Sequence, residues 1–393
     1  KPTTASLAGV TLLAVLCAGS ARCDEVDDQV EALVKSLAGS LHRDENLESR
    51  PIYSINLNAT KVSDDDLKLI ARLMELESLD LNKTSVTDVG IAKLNNLSTL
   101  QTLSLKDTKV GDAAIREIKR LPKMRNLYLK GTRTTNASMA DVAEITNLHD
   151  LDLSGTAVSD IGMKHLMDLK NLRFLDLSDS AVTDLGLKDV KELEDLEYLL
   201  LANLRITDGG IKEIVLMPEL RGLKVEGTRI SDEGLKELTE LKKLHTLNLQ
   251  NTRITDRGLA ALKEFARLDQ LNLMDTRVTS AGLKDLAALS RLKLVCLRKT
   301  RVSDMNLEEL TKLKNLEFLD LDVTLVTDAG LKKLYGLENL DTLKIGTGEI
   351  SDASLEVLKS FKALKSLNYS PNKLTAAGLK ELQDALPGFK ILP

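Results

Sequence analysis

Cysteine and aromatic residues are scarce in this chain of 393 residues, which has three Cys, no Trp, five Tyr and five Phe. Two of the cysteines, Cys17 and Cys23, lie near the N-terminus, so the sequence excludes a disulfide framework and a cysteine-based metal site. The third, Cys296, has no adjacent base, and we expect its thiol to be inert. With 43% hydrophobic but only 3% aromatic residues, the core has to consist of Leu, Ile and Val.

An excess of one charge sign is also missing. Charged residues make up 29% of the chain and the net charge is −5, whereas nucleic-acid-binding proteins usually carry a strongly basic face. None of the four His has a second His at the spacing that metal ligands require. Because no nucleophile or acid–base constellation emerges either, the sequence predicts no enzyme, no metal, no cofactor and no nucleic-acid partner.

A long apolar run occurs only near the N-terminus, where residues 7–18 follow the positive charge of Lys1. Three small residues at 19–21 come next, which is typical of a cleaved export signal. The run is too short to span a bilayer, which needs about 20 residues. The sequence therefore predicts a signal peptide over 1–21, an exported protein (periplasmic, cell-surface or secreted) and no transmembrane segment. A disordered apolar tail is the alternative, and lipidation stays open.

The dominant feature of the chain is an apolar residue that recurs every 24 positions without insertion. These residues are Ile52, Leu76, Leu100, Met124, Leu148, Leu172, Leu196, Leu220, Leu244, Leu268, Leu292, Leu316, Leu340 and Leu364. Each is position one of a repeat, and the regular period predicts fourteen repeats over 52–387. Such an array folds as an α/β solenoid rather than as separate domains.

Each repeat has the pattern of a strand, a turn and a short helix. In the repeat that starts at Leu244, Leu247 and Leu249 alternate with polar residues, which indicates a strand with one buried face. Its second half spaces apolar residues by three, as a helix does, and Thr255 stands where an N-cap belongs. Gly recurs at position fifteen, as in Gly258, and we interpret it as a close-packing site rather than as a phosphate loop.

Different spacings of strands and helices determine how such repeats stack. Parallel strands lie ~4.8 Å apart, whereas packed helices need about 8–10 Å. The stack should therefore bend, with a parallel sheet on its concave face and short helices on its convex face.

The repeat pattern Leu-x-x-Leu-x-Leu-x-x-Thr-x-Val/Ile-Ser/Thr-Asp-x-Gly-Leu resembles that of the leucine-rich-repeat superfamily. It is most similar to the 24-residue repeats of exported bacterial proteins and more distantly similar to ribonuclease-inhibitor-like and F-box-associated repeats. The resemblance covers residues 52 to about 388 and implies a horseshoe-shaped solenoid.

Position nine differs from the family pattern, in which Asn or Cys usually bonds the neighbouring turns. Thr occupies it in ten repeats here, and its hydroxyl can donate and accept in the same way. Leu204 and Gly348 depart from Thr, so we expect the ladder to be interrupted at these two turns.

The two ends of a solenoid have to be covered. Residues 22–51 are predicted to form an N-terminal cap with one helix and then a short strand near Leu41. Residues 388–393 are predicted to add a last edge strand, where Pro393 would limit further pairing.

Strand positions three, five and seven should point out of the concave face. Most are small or polar, yet four of the ten Phe and Tyr residues fall there, and exposed aromatic residues on a rigid scaffold are typical binding anchors. The candidate partner-binding residues are Tyr128, Asp150, Asp152, Phe174, Asp176, Tyr198, Leu200 and Phe318. A weaker second cluster consists of Met274, Leu294, Phe318 and Asp320.

The two aspartates Asp152 and Asp176 should be lateral neighbours on adjacent strands. Like charges at that distance cost roughly 1 kcal/mol even in water, which the fold alone does not explain. A partner-binding patch and tolerated surface variation both remain open, with a bound cation as a minor alternative.

A row of arginines should lie along one rim, because position ten carries Arg in five successive repeats. They are Arg205, Arg229, Arg253, Arg277 and Arg301. One interpretation pairs them with nearby acids such as Asp208, Asp232 and Asp256. The other is an anion-binding rim for an acidic glycan or protein, which added salt would weaken.

Three functions compete on this basis. The favoured hypothesis is an exported, monomeric and non-catalytic scaffold that binds a protein through its concave face. The first alternative is binding of an extracellular polysaccharide or other polyanion through the arginine rim. The second is a substrate receptor of a ubiquitin ligase, but residues 22–51 are too short to contain an F-box.

Overall fold

A computed structural model describes residues 25–47, 49–369, 373–386 and 388–392. The signal peptide predicted over 1–21 and the residues Cys17, Cys23 and Pro393 lie outside these ranges. The chain divides into two compact units, Lys1–Asp176 and Leu177–Pro393, here called unit 1 and unit 2.

Short strands recur with the predicted period of 24 residues in both units. Unit 1 contains β1 (Ser40–Arg43), β2 (Ile52–Asn56), β3 (Ser78–Asp80), β4 (Thr102–Ser104), β5 (Asn126–Tyr128), β6 (Asp150–Asp152) and β7 (Phe174–Asp176). Unit 2 contains β8 (Tyr198–Leu200), β9 (Gly222–Lys224), β10 (Thr246–Asn248), β11 (Gln270–Asn272), β12 (Leu294–Cys296), β13 (Phe318–Asp320), β14 (Thr342–Lys344), β15 (Ser366–Asn368) and β16 (Lys390–Leu392).

The strands pair in the order of the sequence, and the pairing keeps equivalent repeat positions side by side. In unit 1, β2 to β7 pair in parallel, so that Leu79 lies opposite Leu103. In unit 2, β8 to β16 do the same. The first described strand, β1, runs antiparallel to its neighbour β2. The parallel sheet with alternating helices confirms the predicted α/β repeat fold.

Helices return the chain from one strand to the next. They are α1 (25–36), α2 (Leu67–Ile70), α3 (Asp88–Ile91), α4 (Asp112–Ile118), α5 (Met139–Ala143) and α6 (Asp160–Leu166) in unit 1. Unit 2 has α7 (Asp184–Val190), α8 (Asp208–Ile214), α9 (Asp232–Glu237), α10 (Asp256–Leu259), α11 (Leu283–Leu286), α12 (Asp328–Leu331), α13 (Leu355–Ser360) and α14 (Ala376–Ala385).

Several repeats use 3₁₀ turns in addition to, or instead of, an α-helix. The 3₁₀ segments are Ala92–Leu94, Asn136–Ser138, Leu238–Glu240, Leu262–Glu264, Ser280–Gly282, Leu307–Lys312, Lys332–Leu334 and Asp352–Ser354. Across the part of the chain that the structure describes, no helix combines the length and the apolar character that a membrane span requires.

The predicted N-caps are present and also link successive repeats. The Thr255 hydroxyl accepts a hydrogen bond from the Arg257 amide at 3.2 Å, as an N-cap does. The Asp232 carboxylate, one repeat earlier, accepts from the Thr255 amide at 2.8 Å and from its hydroxyl at 2.6 Å. The same bonds link Asp64 to Thr87, Asp112 to Thr135, Asp208 to Ser231, Asp256 to Thr279, Asp304 to Thr327, Asp328 to Ser351 and Asp352 to Thr375.

The role predicted for position nine is wrong. The Thr252 hydroxyl donates to the Leu249 carbonyl of its own turn at 2.5 Å, and Thr108 donates to Leu105 at 2.7 Å. The hydroxyl is therefore engaged by a carbonyl three residues earlier in its own turn rather than by the neighbouring repeat. Where it is Thr, position nine thus closes its own turn, and the aspartate at position thirteen bonds to the next repeat.

The recurrent glycine is explained by that aspartate. A Cβ added to Gly258 would lie under 3.0 Å from the Asp232 carboxylate, and Gly210 has the same relation to Asp184. Ser280 replaces the aspartate in one repeat, and the following repeat has Asn306 instead of Gly at position fifteen. The close-packing interpretation of the glycine is thus confirmed, and the packing partner is a neighbouring carboxylate.

Candidate functional site

The strand face consists of the side chains at repeat positions three, five and seven, which point away from the helices. In unit 1 the most connected part of this face surrounds Tyr128 on β5. The Tyr128 hydroxyl donates to Asp150 at 3.0 Å, and the Lys106 ammonium lies 4.7 Å from the centre of the Tyr128 ring. Lys106 continues across the ring and reaches the Asp152 carboxylate at 3.0 Å. We call these four residues the Tyr128 network.

Asp152 is the buried member of the Tyr128 network, with 3% of its surface exposed. Its other carboxylate oxygen accepts from the Ser154 hydroxyl at 2.6 Å and from the Ser154 amide at 3.0 Å. Asp152 lies directly opposite Asp176 in the sheet, as predicted. Burial removes Asp152 from the surface that a partner contacts, so its role is to hold Lys106 over the aromatic ring.

The ionisation of Tyr128 is shifted in the direction that keeps its proton. Burial, followed by the charge of Asp150 and the hydrogen bond to it, raises the pKa of Tyr128 to about 12. The hydroxyl therefore remains a donor at neutral pH and fixes the ring against β6. Phe174 on β7 lies half-buried beside Asp150 in the same register.

Lys106 is the residue that sequence reasoning missed. It stands at position seven of its repeat and reaches two strands along the sheet, so no local pattern connects it with Asp152. The signal that could have found it is the register itself, because the 24-residue period places Lys106, Tyr128 and Asp152 on one face. Because Lys106 neutralises Asp152, the two neighbouring aspartates Asp152 and Asp176 no longer imply uncompensated negative charge on this face.

In unit 2 the strand face begins with Tyr198 and Leu200 on β8. Tyr198 is 43% exposed, and its ring lies over Gly222 of β9, where an added Cβ would collide with it. A glycine below an aromatic ring lets the ring lie flat on the sheet. Leu200 is half-buried and lies opposite Lys224.

The second cluster predicted from the sequence forms around Phe318 on β13. The Lys344 ammonium lies 5.4 Å from the ring centre of Phe318 and 3.8 Å from the Asp320 carboxylate. Leu294 is the strand neighbour of Phe318, and Met274 is half-buried on the same face. Lysine thus covers an aromatic ring next to a buried aspartate in both units.

Cys296 lies opposite Asp320 and is buried, although its position faces away from the repeat core. Burial, together with the Asp320 charge, raises the pKa of the Cys296 thiol to about 12. Burial also raises the pKa of Asp320. The thiol therefore stays protonated at neutral pH, in agreement with the inert behaviour predicted for it.

The arginine rim, formed by the five position-ten arginines, lies entirely in unit 2, and all five side chains are exposed. Pairing with Asp208, Asp232 and Asp256 is not observed, because these carboxylates accept hydrogen bonds from Ser231, Thr255 and Thr279. Among the described residues of unit 2, none forms an ion pair with a rim arginine.

A depression of about 540 Å³ follows the rim. Its cations are Arg229, Arg253, Arg277, Arg301 and Lys299, and Asp275 supplies a single negative charge. Within the described ranges no group of three or more His, Cys, Asp or Glu could hold a metal ion.

Comparison with known proteins identifies the repeat family of this chain and solved structures with a similar fold. Residues 133–376 match the family model described as "Leucine-rich repeat region". No curated protein matches the chain. Among solved structures, a leucine-rich-repeat protein of Leptospira interrogans is similar at 21% identity and a TM-score of 0.60, covering 91% of this chain and 94% of its own.

An internalin of Listeria monocytogenes is similar at 22% identity and a TM-score of 0.54, with 93% of this chain and 94% of that chain covered. A TDR receptor is similar at 16% identity and a TM-score of 0.53, with 85% of this chain and 58% of that chain covered. At these identities the likeness establishes the shared fold.

Proposed function

Because this chain belongs to the leucine-rich repeat family, we propose that it is a non-catalytic scaffold that is exported and binds a protein through its strand face. Repeat proteins of this kind present extended surfaces rather than an enclosed pocket. Specificity then comes from the side chains that each strand adds to that surface, so the argument rests on the residues at positions three, five and seven.

The single observation that supports this function best is the aromatic content of the strand face. Tyr128 and Phe174 in unit 1, and Tyr198 and Phe318 in unit 2, stand on strands whose other outward residues are mostly small or polar. Tyr198 in particular is 43% exposed although its ring covers Gly222. Aromatic side chains held in a fixed orientation bind with little loss of conformational freedom, which is why they dominate interface energetics.

The experiment is affinity capture with the mature protein, followed by titration of the purified partner. Phe174→Ala and Tyr198→Ala should each weaken binding at least tenfold if these residues are anchors, since anchor truncations cost about 2 kcal/mol or more. Tyr335→Ala is the matched control, because Tyr335 is 71% exposed but follows a 3₁₀ turn rather than a strand. Unchanged affinity in both strand-face variants would remove the strand face as the binding surface.

The proposed export rests on the signal pattern over 1–21. Cleavage at that point would retain residues 25–36, the part of α1 that the structure describes, in the proposed N-terminal cap. N-terminal sequencing of the mature protein tests this. A chain that still begins at residue 1 would favour a role inside the cell.

Anion binding by the arginine rim is the second function that a specific observation favours. The five arginines are exposed, and their expected acidic partners are engaged elsewhere. Binding of a polyanion there should weaken steeply as salt rises from about 0.05 to 0.5 M, because salt screens exposed charges.

A further inference from the structure

The arginine rim is an ordered row rather than a loose cluster. The backbone amide of each rim arginine from Arg229 onward donates to the repeat before it, as Arg253 does to Ile230 at 2.9 Å and Arg301 does to Val278 at 3.0 Å. Parallel bridges place Arg277 beside Thr255 and Arg301 beside Thr279. The guanidinium groups therefore start from anchor points ~4.8 Å apart, the spacing of parallel strands.

Like charges at that spacing repel one another, and among the residues that line the depression Asp275 alone offsets them in part. The aspartates of the same turns accept hydrogen bonds from the capping hydroxyls of the next repeat and form no ion pair with the row. By contrast, Glu349 and Lys373, the next charged residues at position ten, form an ion pair with each other at 2.7 Å. Within the described part of unit 2, the position-ten cations without an ion pair are thus the five consecutive arginines from Arg205 to Arg301.

The row ends at an exposed apolar pair. Leu325 occupies position ten in the repeat after Arg301 and is 63% exposed, and Val323 at position eight is 52% exposed. Val323 adopts a left-handed backbone with φ of 55°, which is unfavourable for a β-branched residue. Other repeats of unit 2 have Asn203, Gly227 and Asn251 there, which tolerate this conformation. An apolar side chain is therefore present at a strained and solvent-exposed place.

We propose that the arginine rim and the Val323–Leu325 pair together bind an extended acidic peptide segment of a partner protein. Its carboxylates lie along the arginines, and an apolar side chain that follows them covers Val323 and Leu325. This inference rests on the proposed protein-binding function and adds a second contact region to the strand face. Arginine is suited to this binding because its planar guanidinium group forms bidentate hydrogen bonds with a carboxylate.

The apolar end is what selects a peptide over an acidic polysaccharide. Both ligands supply regularly spaced anions, but only a peptide joins an acidic run to an aliphatic side chain. Five arginines span four intervals of ~4.8 Å, roughly 19 Å, which an extended chain of about six residues covers at ~3.3 Å per residue. The ligand is therefore a short linear segment rather than a folded surface.

The test measures binding of two fluorescent peptides to the full chain by anisotropy. One peptide has six Glu followed by two Leu, and the other has six Glu followed by two Ser. We expect the Leu-ended peptide to bind about tenfold more tightly, since burying one or two aliphatic side chains contributes at least that factor. Dextran sulfate and hyaluronate serve as the polysaccharide probes.

Substitutions test separately the contribution of the arginines and that of the Val323–Leu325 pair. The double variant Arg253→Gln/Arg277→Gln should weaken both peptides at least tenfold, whereas Arg257→Gln, which removes an exposed arginine paired with Glu233 on the helix side, should not. Leu325→Ser should abolish the preference for the Leu-ended peptide. Its control is Leu185→Ser, because Leu185 is equally exposed at 62% but lies on α7.

The outcomes distinguish a peptide ligand from a polysaccharide ligand at the rim, and the rim from the strand face. Equal binding of the two peptides, or a preference for the Leu-ended peptide that survives Leu325→Ser, would overturn the peptide inference, and tighter binding of dextran sulfate or hyaluronate than of either peptide would favour a polysaccharide at the rim. Absence of binding by every anion would remove the rim as a site, while capture of a partner through Phe174 and Tyr198 would still stand. Loss of strand-face capture with intact peptide binding would instead reject the proposed function and keep the rim.

Discussion

At the scale of single residues, the contacts of Lys106 and Asp275 show what the repeat pattern leaves out. The period places every side chain on a face, but it does not say how far a long side chain reaches along the sheet. Lys106 crosses the Tyr128 ring to a buried aspartate, and this contact was not predicted. Asp275 is the acid that lies among the cations of the rim depression. Its place there is fixed by the left-handed turn in which it stands, not by an ion pair with an arginine.

The Tyr128 network should fail when its cation is removed. Lys106→Met leaves Asp152 buried without its ion pair, and we expect a loss of about 2–4 kcal/mol in the free energy of unfolding. The double variant Lys106→Met/Asp152→Asn should recover part of that loss, because the buried charge is gone. Urea denaturation followed by circular dichroism measures both values.

The matched control is Lys130→Met, since Lys130 occupies the same position in the next repeat and is exposed. If Lys106→Met and Lys130→Met have the same small effect, the ion pair with Asp152 does not stabilise unit 1.

The charge of Asp275 should oppose anion binding at the rim. Asp275→Asn removes one negative charge and keeps a residue that tolerates the left-handed backbone, where Asp275 has φ of 56°. We expect the affinity for the six-Glu peptides to rise about threefold at low salt. The same substitution at exposed Asp107 in unit 1, which has the same backbone conformation, should change nothing, and a rise there would point to net charge instead.

At the scale of elements, the link between successive helices is a carboxylate and the glycine that makes room for it. The strands, the helices and their caps could be predicted because each depends on a few neighbouring residues with a clear period. The bonds between repeats could not, because a hydroxyl at position nine and a carboxylate at position thirteen are equally able to bond a neighbour. Only the distances show that Thr252 closes its own turn while Asp232 spans the two repeats.

A double-mutant cycle tests this pairing of carboxylate and glycine. Gly258→Ala places a methyl group under 3.0 Å from Asp232 and should cost about 1–3 kcal/mol of unfolding free energy. Asp232→Ser loses part of the bonding to Thr255 and should cost about 1–2 kcal/mol. Because Ser is shorter, as at Ser280, the double variant should cost clearly less than the sum.

Urea denaturation of the four proteins provides the cycle. Strict additivity would mean that the glycine is required for its backbone alone and that the contact with Asp232 is tolerated without strain.

At the scale of the whole chain, the repeat architecture was predictable and the binding surface was not. Stacking of identical units follows from a period that the sequence states fourteen times. Surface function depends on exceptions to that period, and an exception such as Leu325 or Tyr198 looks the same whether it binds a partner or is merely tolerated. The structure adds burial, which removes Asp152 from the candidate contacts, and the positions of the acids, which leave the rim arginines uncompensated.

Three of the carboxylates that join the repeats, Asp112, Asp328 and Asp352, give the folding stability a dependence on pH. Burial alone would raise the pKa of Asp112 and Asp328, but hydrogen bonds from the capping hydroxyls and amides of the following repeat lower both. Hydrogen bonds from Thr375 likewise lower the pKa of Asp352. These groups therefore bind fewer protons in the folded than in the unfolded chain.

Folding stability should accordingly rise with pH wherever the unfolded chain binds more protons. The contribution of these aspartates is complete above the unfolded pKa of about 4 and is lost as the pH falls through the lower folded values. We expect the urea midpoint to be flat from pH 7 to 5 and to fall progressively from pH 4 to 2.5. Asp328→Asn should lower the midpoint at pH 7 and make the acid limb less steep, since an amide does not titrate but still accepts from Ser351. A wild-type midpoint that stays constant down to pH 3 would show that these aspartates bind protons equally in the folded and unfolded chain, and that the carboxylate bonds between repeats contribute to geometry only.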